Sequence, residues 1–210
     1  MTPHASKPLV LCEGNEDRII FEKIAEAAGL GNQIKFLGYG GDSKLSEFLE
    51  YIKDSPEYRR GEHSRILVTC DADDDSAKAL KRLAAAIRKT FSCELTAPGE
   101  TLASVDGLPI SAWVVPGDGK SGMIETMCME ASREKSPELF DCIDPLIECL
   151  EKNQGAKPHE KVRFAFWTII SQGNTARKRL SVERAIDKVP LDWSCETFSP
   201  VRKLFADLLE

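Results

Sequence analysis

Four short apolar runs, each followed by a stretch of helical periodicity, constrain this chain of 210 residues more than any other feature. Residues 8–12, 34–39, 66–70 and 110–115 are too short for helices and almost continuously apolar, as suits strands buried on both faces of a sheet. After the first run, Asn15-Glu16-Asp17 supplies an N-cap and an acidic first turn, and Ile20, Phe21, Ile24, Ala27 and Ala28 follow at helical spacing before Gly29. The second run ends in Gly40-Gly41, and a helix from Asp42 or Ser43 to about Lys53 carries Leu45, Phe48, Leu49 and Ile52 on one face. After the third, Leu80, Leu83, Ala84, Ile87 and Phe91 form a stripe at i, i+3, i+4 spacing. Pro116-Gly117 stops the fourth run, and a further helix starts near Met123. Strands and helices in strict alternation predict an α/β fold, with an open, mostly parallel sheet and helices on both faces.

Beyond Ser136 the strand signal fades. The periodicity predicts helices over 137–152, 159–172 and 199–209, the middle one with Val162, Ala165, Phe166, Ile169 and Ile170 on one side. The expected organisation is therefore an α/β domain over 1–135 and a helical C-terminal appendix over 136–210 packed upon it.

Composition narrows the class. No apolar run approaches the roughly 18 to 20 residues of a membrane-spanning helix, and residues 1–8 lack a signal peptide's apolar stretch. The cysteines number seven, with no Cys-x-x-Cys pair, and Cys12 and Cys70 fall inside apolar runs, which suits free thiols in a reducing cell. His4, His63 and His159 have no zinc-ligand spacing. A soluble cytoplasmic protein without membrane contact is expected. The formal net charge is −6, unevenly spread: residues 153–190 carry eight Lys/Arg against three acids, so the remainder stands at −11. Within the basic stretch, Arg177-Lys178-Arg179 beside Gly173-Asn174 is the candidate phosphate contact, and a solvated basic loop is the alternative reading.

Chemistry concentrates in the carboxylates at the ends of two strands. Glu13 directly follows the first run and Asp17 lies one helical turn on; Asp71 directly follows the third run and Asp73 lies two residues on. In a parallel sheet the carboxyl ends share one edge, where ligands bind. If the two strands are neighbours, Glu13, Asp71 and Asp73 converge. Converging carboxylates repel, so they either raise one another's pKa or bind a cation. An all-oxygen shell suits Mg2+ or Mn2+, which can activate water and stabilise charge in phosphoryl transfer. Helix capping is the competing account; it covers Asp74 and Asp75 well but Glu13 and Asp71 poorly, because these stand at strand ends.

Three other motifs fail. Gly119-Lys120-Ser121 ends like a P-loop, but the first glycine would fall on Val114. No G-x-S-x-G elbow occurs. Asp71-x-Asp73 resembles the haloacid-dehalogenase nucleophile, yet an entire β-α-β-α unit precedes it here.

Leu11-Cys12-Glu13-Gly14-Asn15-Glu16-Asp17 and Val68-Thr69-Cys70-Asp71-Ala72-Asp73-Asp74-Asp75 resemble the two signatures of the Toprim domain, found in topoisomerases, primases, OLD-family nucleases and ribosomal-RNA maturation enzymes. Trp113-Val114-Val115-Pro116 leading to Gly122-Met123-Ile124-Glu125, and the stretch 161–191 with Trp167, Thr168 and Gly173, are similar to stand-alone bacterial OLD-like Toprim proteins of unknown function. The resemblance implies a Toprim-like, Rossmann-like sheet and Mg2+- or Mn2+-dependent phosphodiester chemistry on nucleic acid, DNA or RNA. It assigns Glu13 as general acid/base or ligand and Asp71 and Asp73 as ion ligands. Asp17 and Glu125 would complete a second position, and Lys120 would offset charge on the scissile phosphate. The 210 residues show no companion domain bearing a topoisomerase tyrosine, no primase zinc ribbon and no ATPase domain, so neither a topoisomerase nor a complete primase is expected. The alternatives to a nuclease-like enzyme are a non-catalytic binding or regulatory module working with a partner protein, favoured by the acidic composition, and a small-molecule phosphotransfer enzyme.

Overall fold

The four apolar runs become four parallel strands of one sheet. The computed structural model describes residues 6–99, 101–154 and 191–210. Among these, β1 (Lys7–Cys12), β2 (Lys35–Gly38), β3 (His63–Asp71), β4 (Thr101–Ala103) and β5 (Pro109–Val115) form a five-stranded sheet in the order β2-β1-β3-β5-β4. Leu11 pairs with Leu37 of β2 on one side and Val68 of β3 on the other, and β3 runs beside β5 from Ile66↔Ile110 to Asp71↔Val115. The short edge strand β4 is antiparallel to β5 and was not expected, because its length of three residues is too short to show periodicity.

Among the described residues the helices are α1 (Asn15–Ala27), α2 (Leu45–Asp54), α3 (Pro56–Arg59), α4 (Ser76–Phe91), α5 (Ile124–Lys135), α6 (Pro137–Gln154) and α7 (Ser199–Asp207). Because strand side chains alternate between faces, the sheet builds two apolar layers. Val10, Cys12, Trp113 and Val115 join Phe21 and Ile24 of α1, Met127 and Cys128 of α5, and Phe140 and Ile143 of α6. On the opposite face, Leu9, Leu11, Val68, Cys70 and Val114 join Leu49 of α2 and Leu83 and Ile87 of α4. The sheet is thus covered on both sides, as the alternating pattern requires.

The described C-terminal residues belong to the first layer. Phe205 of α7 is fully buried and sets its ring edge-on to Phe21 at 5.6 Å and Phe36 at 5.5 Å. In α6, Phe140, Ile143 and Ile147 form the buried stripe, and Pro145 lies within the helix. The expected helix over 159–172 and the basic triplet Arg177, Lys178 and Arg179 lie outside the described residues. No helix among the described residues is long and apolar enough to cross a membrane.

Candidate metal centre

Parallel strands end together, so the residues that follow β1, β3 and β5 gather at one edge of the sheet. There Asp17, Asp71 and Glu125 each offer an oxygen, and the three atoms all lie within 4.8 Å of one another. Each residue is held by a helix start. Asp17 occupies the third position of α1, where its Oδ2 accepts the Gly14 amide hydrogen at 2.5 Å. Asp71 ends β3, and its Oδ1 accepts from the Ile124 amide at 3.1 Å, at the opening of α5. Glu125 lies in the first turn of that same helix and is 1% exposed, while Asp17 is 6% exposed. The helix-start role implied for Asp17 by its acidic first turn is real, and Asp71, which capping covered poorly in the sequence, also accepts from the first amide of α5. Capping coexists with their convergence, and the partial positive charges at the starts of α1 and α5 favour both.

Electrostatics at this point are one-sided. Burial pushes the Asp71 carboxyl well above the usual carboxylate range, and Asp17, Glu125 and Glu13 push it further, opposed by the hydrogen bond from the Ile124 amide. The thiols of Cys12 and Cys128 are also driven up, by burial first, then by Asp17 for Cys12 and by Glu125 and Asp17 for Cys128. They stay protonated, so the donors here are oxygens. Oxygen donors with formal negative charge, two buried and one half-buried, suit a hard divalent cation. The residues present therefore fit Mg2+ or Mn2+.

Glu13 stands beside this group, not inside it. The pleat turns its side chain towards the α2/α4 layer, away from the face that Asp71 shares with α1 and α5. Its Oε2 nevertheless reaches over β3 and accepts from the Asp71 amide at 3.3 Å, while its main-chain carbonyl accepts from the Gly40 and Gly41 amides at 2.9 Å each. Burial raises the Glu13 carboxyl, as do Asp42 and Asp17; the Asp71 amide and the Arg82 guanidinium oppose them. Arg82 of α4 is itself bound to Asp42 at 2.7 Å. This Asp42–Arg82 pair was missed in the sequence, where the two residues stand 40 apart; the signal available was Gly40-Gly41-Asp42 at the end of β2, on the same sheet edge.

The remaining expected residues lie at the rim. Asp73 is exposed, with φ at +49°, and its backbone pairs with Gly122 through Asp73 N–H to Gly122 O at 2.9 Å and Gly122 N–H to Asp73 O at 2.7 Å. The Asp73 carboxylate is thus not one of the three that converge. Gly122 is required there: its φ is +126°, and an added Cβ would stand 2.8 Å from Thr126 Oγ1. Asp75 caps α4 by accepting from the Lys78 amide at 3.0 Å. Lys120 is exposed at the tip of the turn that begins at Gly117.

An open, mostly parallel α/β sheet with a carboxylate centre at its C-terminal edge is the class that fold and site define. The chain belongs to the family described as Protein of unknown function (DUF3226), whose model matches residues 7–210. No curated protein matches the sequence. Among solved structures, the chain is similar to the C-terminal region of the Xanthomonas campestris pv. campestris OLD protein, at 15% identity and a TM-score of 0.47, covering 96% of this chain and 93% of that one. It is likewise similar to the C-terminal region of the Burkholderia pseudomallei OLD protein, at 16% identity and a TM-score of 0.48, covering 98% of this chain and 99% of that one.

Proposed function

We propose that this protein carries out divalent-cation-dependent phosphodiester chemistry on nucleic acid, with Mg2+ or Mn2+ as cofactor. The observation that carries the reading is the convergence of Asp17, Asp71 and Glu125 within 4.8 Å at the edge where a parallel sheet binds its ligands. It agrees with the Toprim-like pattern of a glutamate after one strand and Asp-x-Asp after another.

Asp17, Asp71 and Glu125 would hold the ion, which when bound supplies charge stabilisation at phosphoryl oxygens and a lowered pKa for coordinated water. Glu13 supplies the proton chemistry. Its raised pKa brings proton uptake and release closer to neutral pH, and the hydrogen bond from the Asp71 amide fixes its carboxylate beside the three others. In this reading Lys120 offsets the charge of the scissile phosphate from the rim, and Asp73 adds an outer carboxylate on the loop that Gly122 ties down. The basic triplet Arg177, Lys178 and Arg179 is proposed as a further phosphate contact.

The test is a cleavage assay on single- and double-stranded DNA and RNA with Mg2+ or Mn2+. Cleavage that needs the ion, and that disappears in Asp71→Ala and Glu13→Gln while the circular dichroism spectrum is kept, is the expected result. Absence of cleavage on every substrate with either ion would overturn the enzymatic reading.

A further inference from the structure

Helix α4 is the most one-sidedly charged element among the described residues. From Ser76 to Phe91 it carries Lys78, Lys81, Arg82, Arg88 and Lys89 and no acid, in a chain whose net charge is −6. Helix stability accounts for Arg88 and Lys89, in the last turn where the dipole favours cations, but not for Lys78 and Lys81. Lys78 and Lys81 lie in the first half, where the helix dipole disfavours cations, and cations three or four residues apart repel one another. A helix exposed only to solvent ordinarily mixes signs along its face.

The five cations divide into two groups. Arg82 binds Asp42 in the turn before α2 at 2.7 Å, and Lys89 binds Glu50 of α2 at 2.8 Å. Lys78, Lys81 and Arg88 follow an exposed stripe at i, i+3 and i+10. Lys78 and Lys81 pair with no acid among the described residues, and Arg88 meets Glu94 only at 3.9 Å, with both side chains well exposed. A groove of about 270 Å3 lies beside the Lys81–Arg88 part of this stripe, lined by Lys81, Ala85 and Arg88 of α4 and by Glu94, Leu95 and Thr96 opposite. The small Ala85 leaves room between the two cations.

Position gives the stripe its meaning. Helix α4 starts immediately after the Asp71–Asp75 loop, so its first turn stands at the same sheet edge as the carboxylate centre, on the opposite face of the sheet, and its axis leads away from that edge. Lys78 to Arg88 spans about 15 Å of helix axis, the rise of roughly four phosphates along one strand of a duplex. We infer that the α4 face formed by Lys78, Lys81 and Arg88 grips the sugar–phosphate backbone of nucleic acid and leads it to the Asp17–Asp71–Glu125 centre. The inference rests on the proposed function for its destination, and on charge complementarity for its partner. It also gives the acidic chain a local positive track of its own outside residues 153–190.

The test neutralises the stripe with Lys78→Gln, Lys81→Gln and Arg88→Gln together. Binding of fluorescein-labelled single-stranded and duplex oligonucleotides is followed by anisotropy across a KCl series, and thermal melting confirms the fold of the variant. The slope of log affinity against log salt should fall by about 0.7 per lost contact on a single strand and about 0.9 on a duplex, hence by about 2 to 3 in the triple variant. Affinity at low salt should drop about tenfold or more. Equal affinity and slope in the folded variant would overturn the inference, and so would a wild type that binds neither oligonucleotide. Mn2+-dependent hydrolysis of bis(p-nitrophenyl) phosphate by the wild type, measured alongside, is too small a reaction to need the track. It reports on the metal-centre reading separately, so failure of one is not mistaken for failure of the other.

Discussion

Replacing Asp71 by Asn should stabilise the ion-free protein, although it removes a charge from a site built to hold charges. Asn keeps the side-chain oxygen that accepts from the Ile124 amide at 3.1 Å and changes little in volume. It removes the repulsion from Asp17 and Glu125, whose oxygens lie within 4.8 Å. At an effective dielectric near 20, each such pair costs about 3.5 kcal/mol. The full sum for both pairs is never reached, because protonation sets a ceiling. Holding a proton at pH 7 on a carboxyl with an ordinary pKa costs only about 4 kcal/mol. The gain in Asp71→Asn therefore lies between about 1 and 4 kcal/mol, and a chain of this size should melt higher by about 2 to 4 °C for each kcal/mol. The sign with pH follows from the raised Asp71 pKa. Its contribution to stability is fully present below the unfolded-state pKa near 4 and is lost as pH rises through the folded-state value. The advantage of the variant should therefore shrink towards pH 4, where Asp71 is already protonated in the folded wild type. Thermal melts in EDTA at both pH values provide the assay. Added Mn2+ should then reverse the order at pH 7, because the wild type gains ligand-binding stabilisation that the variant largely forgoes. A variant that melts at or below the wild type in EDTA at pH 7, or an advantage of equal size at pH 4, would refute the reasoning.

Gly122→Ala forces a Cβ to within 2.8 Å of Thr126 Oγ1 at a φ of +126°, so it should cost about 1 to 3 kcal/mol in urea denaturation and weaken Mn2+ binding measured by calorimetry, since the loop tied to Asp73 must shift. Phe205→Ala deletes a fully buried ring in edge contact with Phe21 and Phe36 and should lower unfolding stability by about 3 to 5 kcal/mol, read from the urea midpoint. Arg133→Ala breaks the two bonds to Asp144, at 2.9 and 3.1 Å, and the stacking on Phe140 at 4.1 Å; both charged partners are half-exposed, so the same measurement should show a loss of no more than about 1 kcal/mol.

The elements that carry their own periodicity were legible. Continuous apolar runs such as Ile66-Leu67-Val68 and the stripe from Leu80 to Phe91 are local signals, and each became the element expected of it. Strand β4 and the single turn α3 are too short to show a period, and the order β2-β1-β3-β5-β4 depends on contacts between distant residues. At the site, Asp17, Asp71 and Glu125 could all be named from the chain, but their meeting at one point could not. That meeting depends on α1 and α5 both starting at the edge where β3 ends. Convergence of Asp73 with the other carboxylates requires the chain to stay extended past Asp71. Instead it leaves the strand, and Asp73 turns to pair its backbone with Gly122. Period-two alternation also placed Glu13 and Asp71 on opposite faces, and only the reach of a glutamate side chain joins them at 3.3 Å. The Asp42–Arg82 pair beside Glu13 has only Gly40-Gly41-Asp42 as a local signal, because its partners stand 40 residues apart until β2 and β3 are set on either side of β1.

The central claim is that Asp17, Asp71 and Glu125 hold a divalent cation. Anomalous scattering from crystals soaked in Mn2+ tests it most directly. The account predicts an anomalous difference peak between these carboxylates, lost in crystals of Asp71→Asn. Saturated crystals with Mn2+ bound only elsewhere on the molecule would contradict it.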